Sequence, residues 1–398
     1  MKNTQAVAQD TIWIGGSDRT VAMFENMFPL PNGVSYNSYV ILDEKVVLFD
    51  TADVSIADQY LENLKAALGD RKPDYLVILH MEPDHCAELG IVLSLYPDLT
   101  IVSTVQSFRF IGQFFPDLVI ANKIVVKEGD TLCTGAHTLR FVTAPMVHWP
   151  EVIFAYDELT KALFSADAFG TFGALDGSIY ADQCDFEAKY LGEARRYYAN
   201  IVGKFGAQTQ AVLKKAAGLD IERILPLHGP VWRENLDWYL GKYQLWSSYT
   251  PETDDILVIA GSMYGHTASA AETFALRLQQ KTGKNVAVYD VSKTEISFLI
   301  SEVWRCAKVV LFTPTYNGGI YPPMARFIDD MEALNVQNRI FAVAENGTWG
   351  PVAGRLVRAK LANLKNCTVL ETGLTIRSAL SDRDAAAFDA FLEAVAGA

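Results

Sequence analysis

The run His80-Met81-Glu82-Pro83-Asp84-His85 puts four metal-ligating side chains directly after the apolar stretch Tyr75-Leu76-Val77-Ile78-Leu79. The apolar stretch reads as a buried strand, and Pro83 stops the chain from continuing straight, so the polar side chains turn back toward a common centre. A chain built this way must bury a strand whose carboxyl end opens into a polar site. Two imidazoles and two carboxylates without a thiolate suit iron, manganese or zinc better than copper or an iron–sulfur cluster. One His or Asp at a strand end commonly does no more than cap the next helix. Here, however, His148 and His228, two of only six histidines, also follow strand-like segments, Leu139 to Thr143 and Ile224 to Leu227, and Asp167 follows Ala162 to Ser165. Seven candidate ligands thus fall in four strand-end loops. One metal rarely needs so many, whereas two metals bridged by a carboxylate do.

His80-x-Glu82-x-Asp84-His85, followed by His148, Asp167 and His228, resembles the ligand set of the flavodiiron proteins, whose diiron site lies in a metallo-β-lactamase-like domain. Hydrolytic relatives of that fold carry His-x-His-x-Asp-His and zinc. Glu82 replaces the second histidine here, and a harder carboxylate favours iron. The resemblance implies that His80, Glu82 and His148 bind one iron, that Asp84, His85 and His228 bind the other, and that Asp167 bridges them. Three carboxylates and one bridging hydroxide would balance two ferrous ions, leaving the buried cluster nearly neutral.

A chain of 398 residues suggests two or three domains, at about 100–200 residues each. The net charge of -13 and the lack of any basic run argue against a nucleic-acid surface. No signal core is found at the N-terminus and no apolar segment is long enough to span a bilayer, so the expected location is the cytoplasm, away from membranes. Five dispersed cysteines, Cys86, Cys133, Cys184, Cys306 and Cys367, read as reduced structural thiols. Some flavodiiron relatives end in a rubredoxin module with paired Cys-x-x-Cys motifs. This chain has none, so the expected electron donor is a separate rubredoxin-like protein or a reduced soluble cofactor.

The polar stretch Tyr249 to Asp255, containing Pro251, separates two rhythms. Before it, short strands (Val46 to Phe49, Tyr75 to Leu79, Thr100 to Ser103, Lys123 to Val126, Leu139 to Thr143, Val152 to Tyr156, Ala162 to Ser165) mix with helices, as in a layered α/β sandwich. After it, Ile256 to Ala260, Val286 to Tyr289, Val309 to Phe312, Ile340 to Ala344 and Thr368 to Leu370 alternate with helical stretches, the pattern of a doubly wound five-stranded parallel sheet. The expected domains are 1–250, a metallo-β-lactamase-like αββα sandwich, and 251–398, flavodoxin-like.

Three strand ends of the second half carry polar, glycine-containing loops: Ser262-Met263-Tyr264-Gly265-His266-Thr267, Pro314-Thr315-Tyr316-Asn317-Gly318-Gly319, and Asn346-Gly347-Thr348-Trp349-Gly350. Any one of them needs glycine only for geometry. Together, at the carboxyl ends of the first, third and fourth strands, they surround one crevice, and the first opens a helix whose N–H groups suit a phosphate. The loops resemble those of flavodoxins and, more closely, of flavodiiron proteins, which implies FMN as the ligand. No Gly-x-Gly-x-x-Gly follows a strand, which disfavours FAD or NAD.

The resemblance spans the whole chain and implies an oxidoreductase in which reduced FMN feeds a diiron site that reduces dioxygen to water, nitric oxide to nitrous oxide, or both. It further implies a head-to-tail homodimer or a dimer of dimers. Two other readings stay open: a zinc-dependent hydrolase fused to a flavodoxin-like domain, and a simple electron carrier that leaves the seven ligands unexplained. Trp149 is expected to pack behind the site. The aromatic residues from Trp232 to Tyr249 read as a helix-packing stripe and His137 as an ordinary surface or strand residue. The segment Phe24 to Asn37, with Pro29, Pro31 and Gly33, is expected to shape an entrance.

Overall fold

A computed structural model describes residues 2–398. The chain divides into two compact units, Met1–Tyr198 with Phe205–Gln244, and Ala199–Lys204 with Leu245–Ala398. The division falls a few residues before the expected boundary at 250/251, and Ala199–Lys204 joins the second unit. Local hydrogen bonds explain that exchange: Tyr249 Oη donates to the Gly203 carbonyl at 2.9 Å, and the Asn200 amide donates to the Ser297 carbonyl at 3.1 Å.

The first unit holds two large sheets and two small two-stranded ones, Gly16–Asp18 with Val34–Tyr36 and Met23–Phe24 with Phe28–Pro29. One large sheet orders Gln5–Ala8, Thr11–Trp13, Tyr39–Leu42, Val46–Phe49, Tyr75–Val77, Thr100–Ser103 and Asn122–Val125. The other orders Thr131–Cys133, Thr138–Thr143, Ile153–Asp157, Ala162–Phe164 and Arg223–Leu225. The apolar strands pack the sheets against each other. Phe49 of the first stacks on Phe164 of the second, with ring centroids 3.8 Å apart and planes within 6°, and Tyr39 meets the same ring edge-on at 5.5 Å.

Strand direction decides where the loops go. Tyr75–Val77 runs parallel to Val46–Phe49 and to Thr100–Ser103. In the second sheet, Ala162–Phe164 pairs in parallel with Arg223–Leu225, with Phe164 opposite Leu225. Asp167 and His228 therefore leave their strands at the same offset and the same height. Thr138–Thr143 and Ala162–Phe164 are both antiparallel to Ile153–Asp157, so they run the same way, and the loop bearing His148 emerges on that same edge.

The second unit orders Val286–Asp290, Thr253–Ala260, Cys306–Tyr316 and Ile340–Asn346 in parallel. Its fifth strand is broken: Thr368–Val369 and Leu374–Ile376 each pair with Ile340–Asn346, separated by a short irregular stretch. Leu257, Val258, Ile259, Val309, Val310 and Leu311 are wholly buried, as strands covered on both faces require. Phe274 of the helix His266–Thr282 packs on Phe312 at 5.4 Å and on Phe391 of the C-terminal helix Ala385–Gly397 at 5.0 Å. Among the described residues no helix is long and apolar enough to cross a membrane.

Candidate metal centre and flavin site

Val77 ends its strand and Pro83 opens a one-turn helix, Pro83–Cys86, with Glu82 at the N-cap position. Glu82 makes no capping hydrogen bond with its side chain, so the carboxylate is left for another task. Its Oε2 lies 3.0 Å from His148 Nε2 and 3.3 Å from His80 Nε2. The two imidazole nitrogens are 3.3 Å apart. Asp167 Oδ2 completes the group at 3.1 Å from His148 Nε2 and 3.5 Å from His80 Nε2.

The other oxygen of Asp167 faces a second group. Oδ1 lies 3.0 Å from His85 Nε2 and 3.8 Å from His228 Nε2. These two nitrogens are 3.1 Å apart, and Asp84 Oδ2 stands 3.4 and 3.3 Å from them. All seven sequence-derived candidates are thus brought together and buried, in two adjoining groups that share Asp167. Donor atoms bound about 2.1 Å from one ion stand about 3.0–3.4 Å apart, and all but two of the separations here, Asp167 to His80 and to His228, fall in that range. Asp84 Oδ1 and Oδ2 and Asp167 Oδ1 are buried with no hydrogen-bond partner among the described residues, despite the nearby nitrogens. Such oxygens carry a heavy desolvation penalty unless a cation satisfies them. The residues fit a pair of metal ions.

Electrostatics point the same way. Burial opposes charging of the His148 imidazole, yet the carboxylates of Asp167 and Glu82 hold its pKa up at about 9. His85 is likewise held at about 9 against burial, by Asp84 and Asp167. Burial raises the Asp167 carboxyl, but His85, His80 and His148 outweigh it and keep the group well below the usual carboxylate range. Behind them, Asp50 Oδ1 accepts from the N–H groups of Leu79 and His80 at 2.8 and 3.2 Å, while burial pushes its carboxyl up to about 7.

Neighbouring residues hold the loops. His228 Nδ1 is 2.8 Å from the Ser35 carbonyl, and the ring sits edge-on to Phe24 at 5.5 Å and Tyr36 at 5.7 Å. The segment Phe24 to Asn37 therefore wraps His228. Gly229 follows at φ 76°, where an added Cβ would meet Thr171 Cγ2 at 2.3 Å; only glycine fits. Trp149 stands edge-on to His80 at 5.3 Å and does not ligate. The aromatic stripe packs as expected, Trp232 stacking on Tyr239 at 4.1 Å. It also braces the site, because the Phe169 N–H donates to Tyr243 Oη at 2.6 Å, two residues beyond Asp167. Cys86 Sγ faces the Met81 carbonyl at 3.3 Å, and burial pushes its thiol up, which suits a packed structural residue.

His137 departs from expectation. It is neither on the surface nor in a strand, but buried in the turn between Thr131–Cys133 and Thr138–Thr143, with Nδ1 2.9 Å from Asp157 Oδ2. Three further residues escaped the sequence reading. Glu25, in the hairpin turn between Met23–Phe24 and Phe28–Pro29, keeps an exposed surface, and partial desolvation together with the nearby Glu82 charge pushes its carboxyl up to about 8. Tyr197 packs its ring 5.6 Å from His228, with its hydroxyl buried and unpartnered among the described residues. Glu151 Oε1 lies 2.7 Å from His80 Nδ1. The position of Glu25 within the Phe24 to Asn37 segment was the only signal for any of them.

In the second unit, a cavity of about 180 Å³ opens at the strand carboxyl ends. Ser262, Met263, Tyr264, His266, Thr267, Pro314, Thr315, Asn317, Gly318, Asn346, Gly347, Thr348, Trp349 and Gly350 line it, with Ser378. Gly265, Tyr316 and Gly319 shape the loops without lining the cavity: Gly265 caps the helix at φ 95° and its N–H donates to Ser262 Oγ at 3.0 Å, while Tyr316 and Gly319 pair across a hairpin. Ser378, unanticipated, follows the second piece of the broken strand. The Asn346 side chain ties it in, donating to the Ser378 carbonyl at 2.9 Å and to Thr267 Oγ1 at 3.2 Å, and accepting from the Ser378 N–H at 3.0 Å. Tyr264 and Trp349 are each 92% exposed beside the cavity, leaving aromatic faces free for a planar ring. Backbone N–H groups at the start of His266–Thr282 suit a phosphate. The residues fit FMN.

Comparison with known proteins agrees with this geometry. Residues 34–229 match the ODP family beta lactamase model and residues 258–388 match the flavodoxin model. The chain is 31% identical over 358 residues to the anaerobic nitric oxide reductase flavorubredoxin of Klebsiella pneumoniae, covering 88% of this chain and 73% of that one. Among solved structures, rubredoxin oxygen:oxidoreductase of Desulfovibrio gigas superposes with a TM-score of 0.92 at 25% identity, over 99% of this chain and 98% of the other. The flavodiiron protein of Giardia intestinalis gives the same score and identity, over 100% and 97%. A metallo-β-lactamase-like unit with a buried two-metal ligand set, followed by a flavodoxin unit, places this chain in the flavodiiron family.

Proposed function

We propose that the chain reduces dioxygen to water, nitric oxide to nitrous oxide, or both, drawing electrons through FMN from a separate rubredoxin-like protein or reduced soluble cofactor in the cytoplasm. The observation that carries this reading is the position of Asp167, whose two oxygens face two different groups of metal-ligating atoms on a chain that also carries a flavin cavity. His80, Glu82 and His148 would hold one iron and Asp84, His85 and His228 the other, with Asp167 shared between the two groups. When bound, FMN accepts and passes on electrons, and the ferrous pair supplies two electrons at once to a small diatomic substrate. The chain's own residues bind and orient. Glu82 and Asp84 fix the charge of the cluster, Asp50 and Glu151 anchor the His80 loop, and Phe24 and Tyr36 confine His228.

In the flavin unit, Ser262 and Thr267 would hold the phosphate, and Tyr264 and Trp349 offer aromatic faces for the ring. Glu82 in place of a histidine, and a flavin cavity with no task in hydrolysis, weigh against the zinc-hydrolase alternative. Iron and flavin analysis of the protein purified from cells tests the reading: two irons and one FMN per chain are expected. Stoichiometric zinc with full activity overturns it.

The functional unit is a head-to-tail dimer that sets the FMN of one chain beside the irons of its partner, with residues 1–250 and 251–398 as the cooperating domains. The exposure of Tyr264 and Trp349 at the cavity mouth supports this, since a partner chain can cover them. Mixed dimers provide the test. A His148→Ala chain, lacking irons, is combined with a chain changed at Thr267 and Asn317, lacking FMN. Each parent is expected to be inactive and the heterodimer to recover toward half the activity. Verified heterodimers that stay inactive exclude transfer between chains.

A further inference from the structure

The hydrogen bonds behind the metal-facing nitrogens are unequal. His80 Nδ1 lies 2.7 Å from a carboxylate oxygen, Glu151 Oε1, whereas His228 Nδ1 lies 2.8 Å from a neutral carbonyl, that of Ser35. His85 Nδ1 is buried with no hydrogen-bond partner among the described residues; the buried Asp50 carboxylate feels the His85 charge but makes no hydrogen bond to that ring. A carboxylate behind an imidazole fixes its tautomer, aims the opposite nitrogen and strengthens it as a donor; a carbonyl does the same more weakly, and an absent partner does neither.

Glu151 is built for that task. It is 1% exposed, and its Oε1 also accepts from the Met81 N–H at 2.9 Å. It stands three residues after His148, so one carboxylate joins the loop of His148 to the loop of His80. Its backbone is held by the Thr104 hydroxyl, which donates to the Glu151 carbonyl at 3.3 Å, and two residues on the Ile153 N–H donates to the Leu79 carbonyl at 3.1 Å. Its Oε2 is buried with no hydrogen-bond partner among the described residues.

We infer that Glu151 is a positioning residue that makes the two metal positions unequal, so that the ion between His80, Glu82, His148 and Asp167 is held more tightly than the ion beside Asp84, His85 and His228. The inference rests on the ligand assignment proposed above. Metal binding to the protein itself reads it out, independently of turnover.

The experiment titrates Co(II) into the chelator-stripped, FMN-loaded full chain under anaerobic conditions. The wild type is expected to take up two ions with separate dissociation constants and separate ligand-field bands. Glu151→Ala weakens the tighter step by about 10–100-fold and shifts one set of bands, leaving the weaker step in place. Glu151→Gln, whose amide oxygen still accepts from Met81 and His80 but carries no charge, falls between the two. In a His80→Ala background, Glu151→Ala adds no further loss, because its effect passes through that ring. FMN content and the thermal midpoint of the metal-free chains report folding, and Glu151→Gln keeps the comparison alive if the alanine variant does not fold. Fewer than two ions on the wild type overturns the ligand assignment itself. Two ions on the wild type, with both variants binding as it does or losing both ions alike, overturns the role of Glu151.

Discussion

Asp167→Asn separates a shared ligand from a private one. The substitution conserves volume, so no cavity forms at a position with no exposure to solvent. It replaces two charged oxygens with one neutral oxygen and an amide that can only donate. In the present geometry Oδ2 approaches His148 and His80 at 3.1 and 3.5 Å, and Oδ1 approaches His85 and His228 at 3.0 and 3.8 Å, so each metal position loses an anionic contact or its only bridging atom. Removing a partner that merely orients a ligand costs about 10–100-fold in metal affinity, and a direct ligand lies at or beyond the top of that range. Each ion should therefore weaken by at least about 100-fold, or about 2.8 kcal/mol. Asp84→Asn is the control, since Asp84 contacts only His85 and His228 within the cluster; it should release one iron and leave the other. Competition with a chromophoric chelator under anaerobic conditions measures both losses, and FMN content should stay at one per chain in both variants. An Asp167→Asn chain that keeps two irons at wild-type affinity, or an Asp84→Asn chain that loses both, refutes the shared-ligand geometry.

The His137–Asp157 pair should make stability depend on pH. Burial lowers the His137 pKa, but Asp157 outweighs it and leaves the imidazole above its ordinary 6.5; the contribution is therefore fully present below that value and lost as pH rises through the folded one. Urea midpoints from about pH 5 to about pH 9 should fall toward alkaline pH more steeply in the parent than in His137→Gln, and parallel curves would exclude the pair as a stabilising contact. Asn346→Ala removes three hydrogen bonds that join the Thr267 and Ser378 loops, each worth about 0.5–1.5 kcal/mol. Flavin release should quicken while iron content holds, and unchanged FMN affinity would show that the loops keep their places without it.

The candidate ligands that the structure brings together could be picked out in the sequence because their chemistry is rare and their positions are punctuated. Few structural roles need two imidazoles and two carboxylates beside a proline, and each remaining ligand follows an apolar run of strand length. The Asp167 and His228 loops meet because their strands pair in parallel at matching offsets, a fact of register that no local pattern states. The short N-terminal strands Gln5–Ala8 and Thr11–Trp13 escaped notice because they lack a long apolar run. Ser378 was missed for a related reason: the fifth strand of the flavin unit breaks after Val369 and resumes at Leu374, so reading the apolar run to Leu370 stopped short of the loop that closes the cavity. Glu151 shows a deeper limit. A Glu after Trp149-Pro150 looks like any loop residue, and it becomes a partner of His80 only when strands 71 positions apart in the chain are brought together. Ligands announce themselves by residue type, whereas the groups that orient them are ordinary residues made special by distance. The inequality between the two metal positions follows from those distances, so changes behind the ligands should alter metal retention while the seven-residue ligand pattern stays intact.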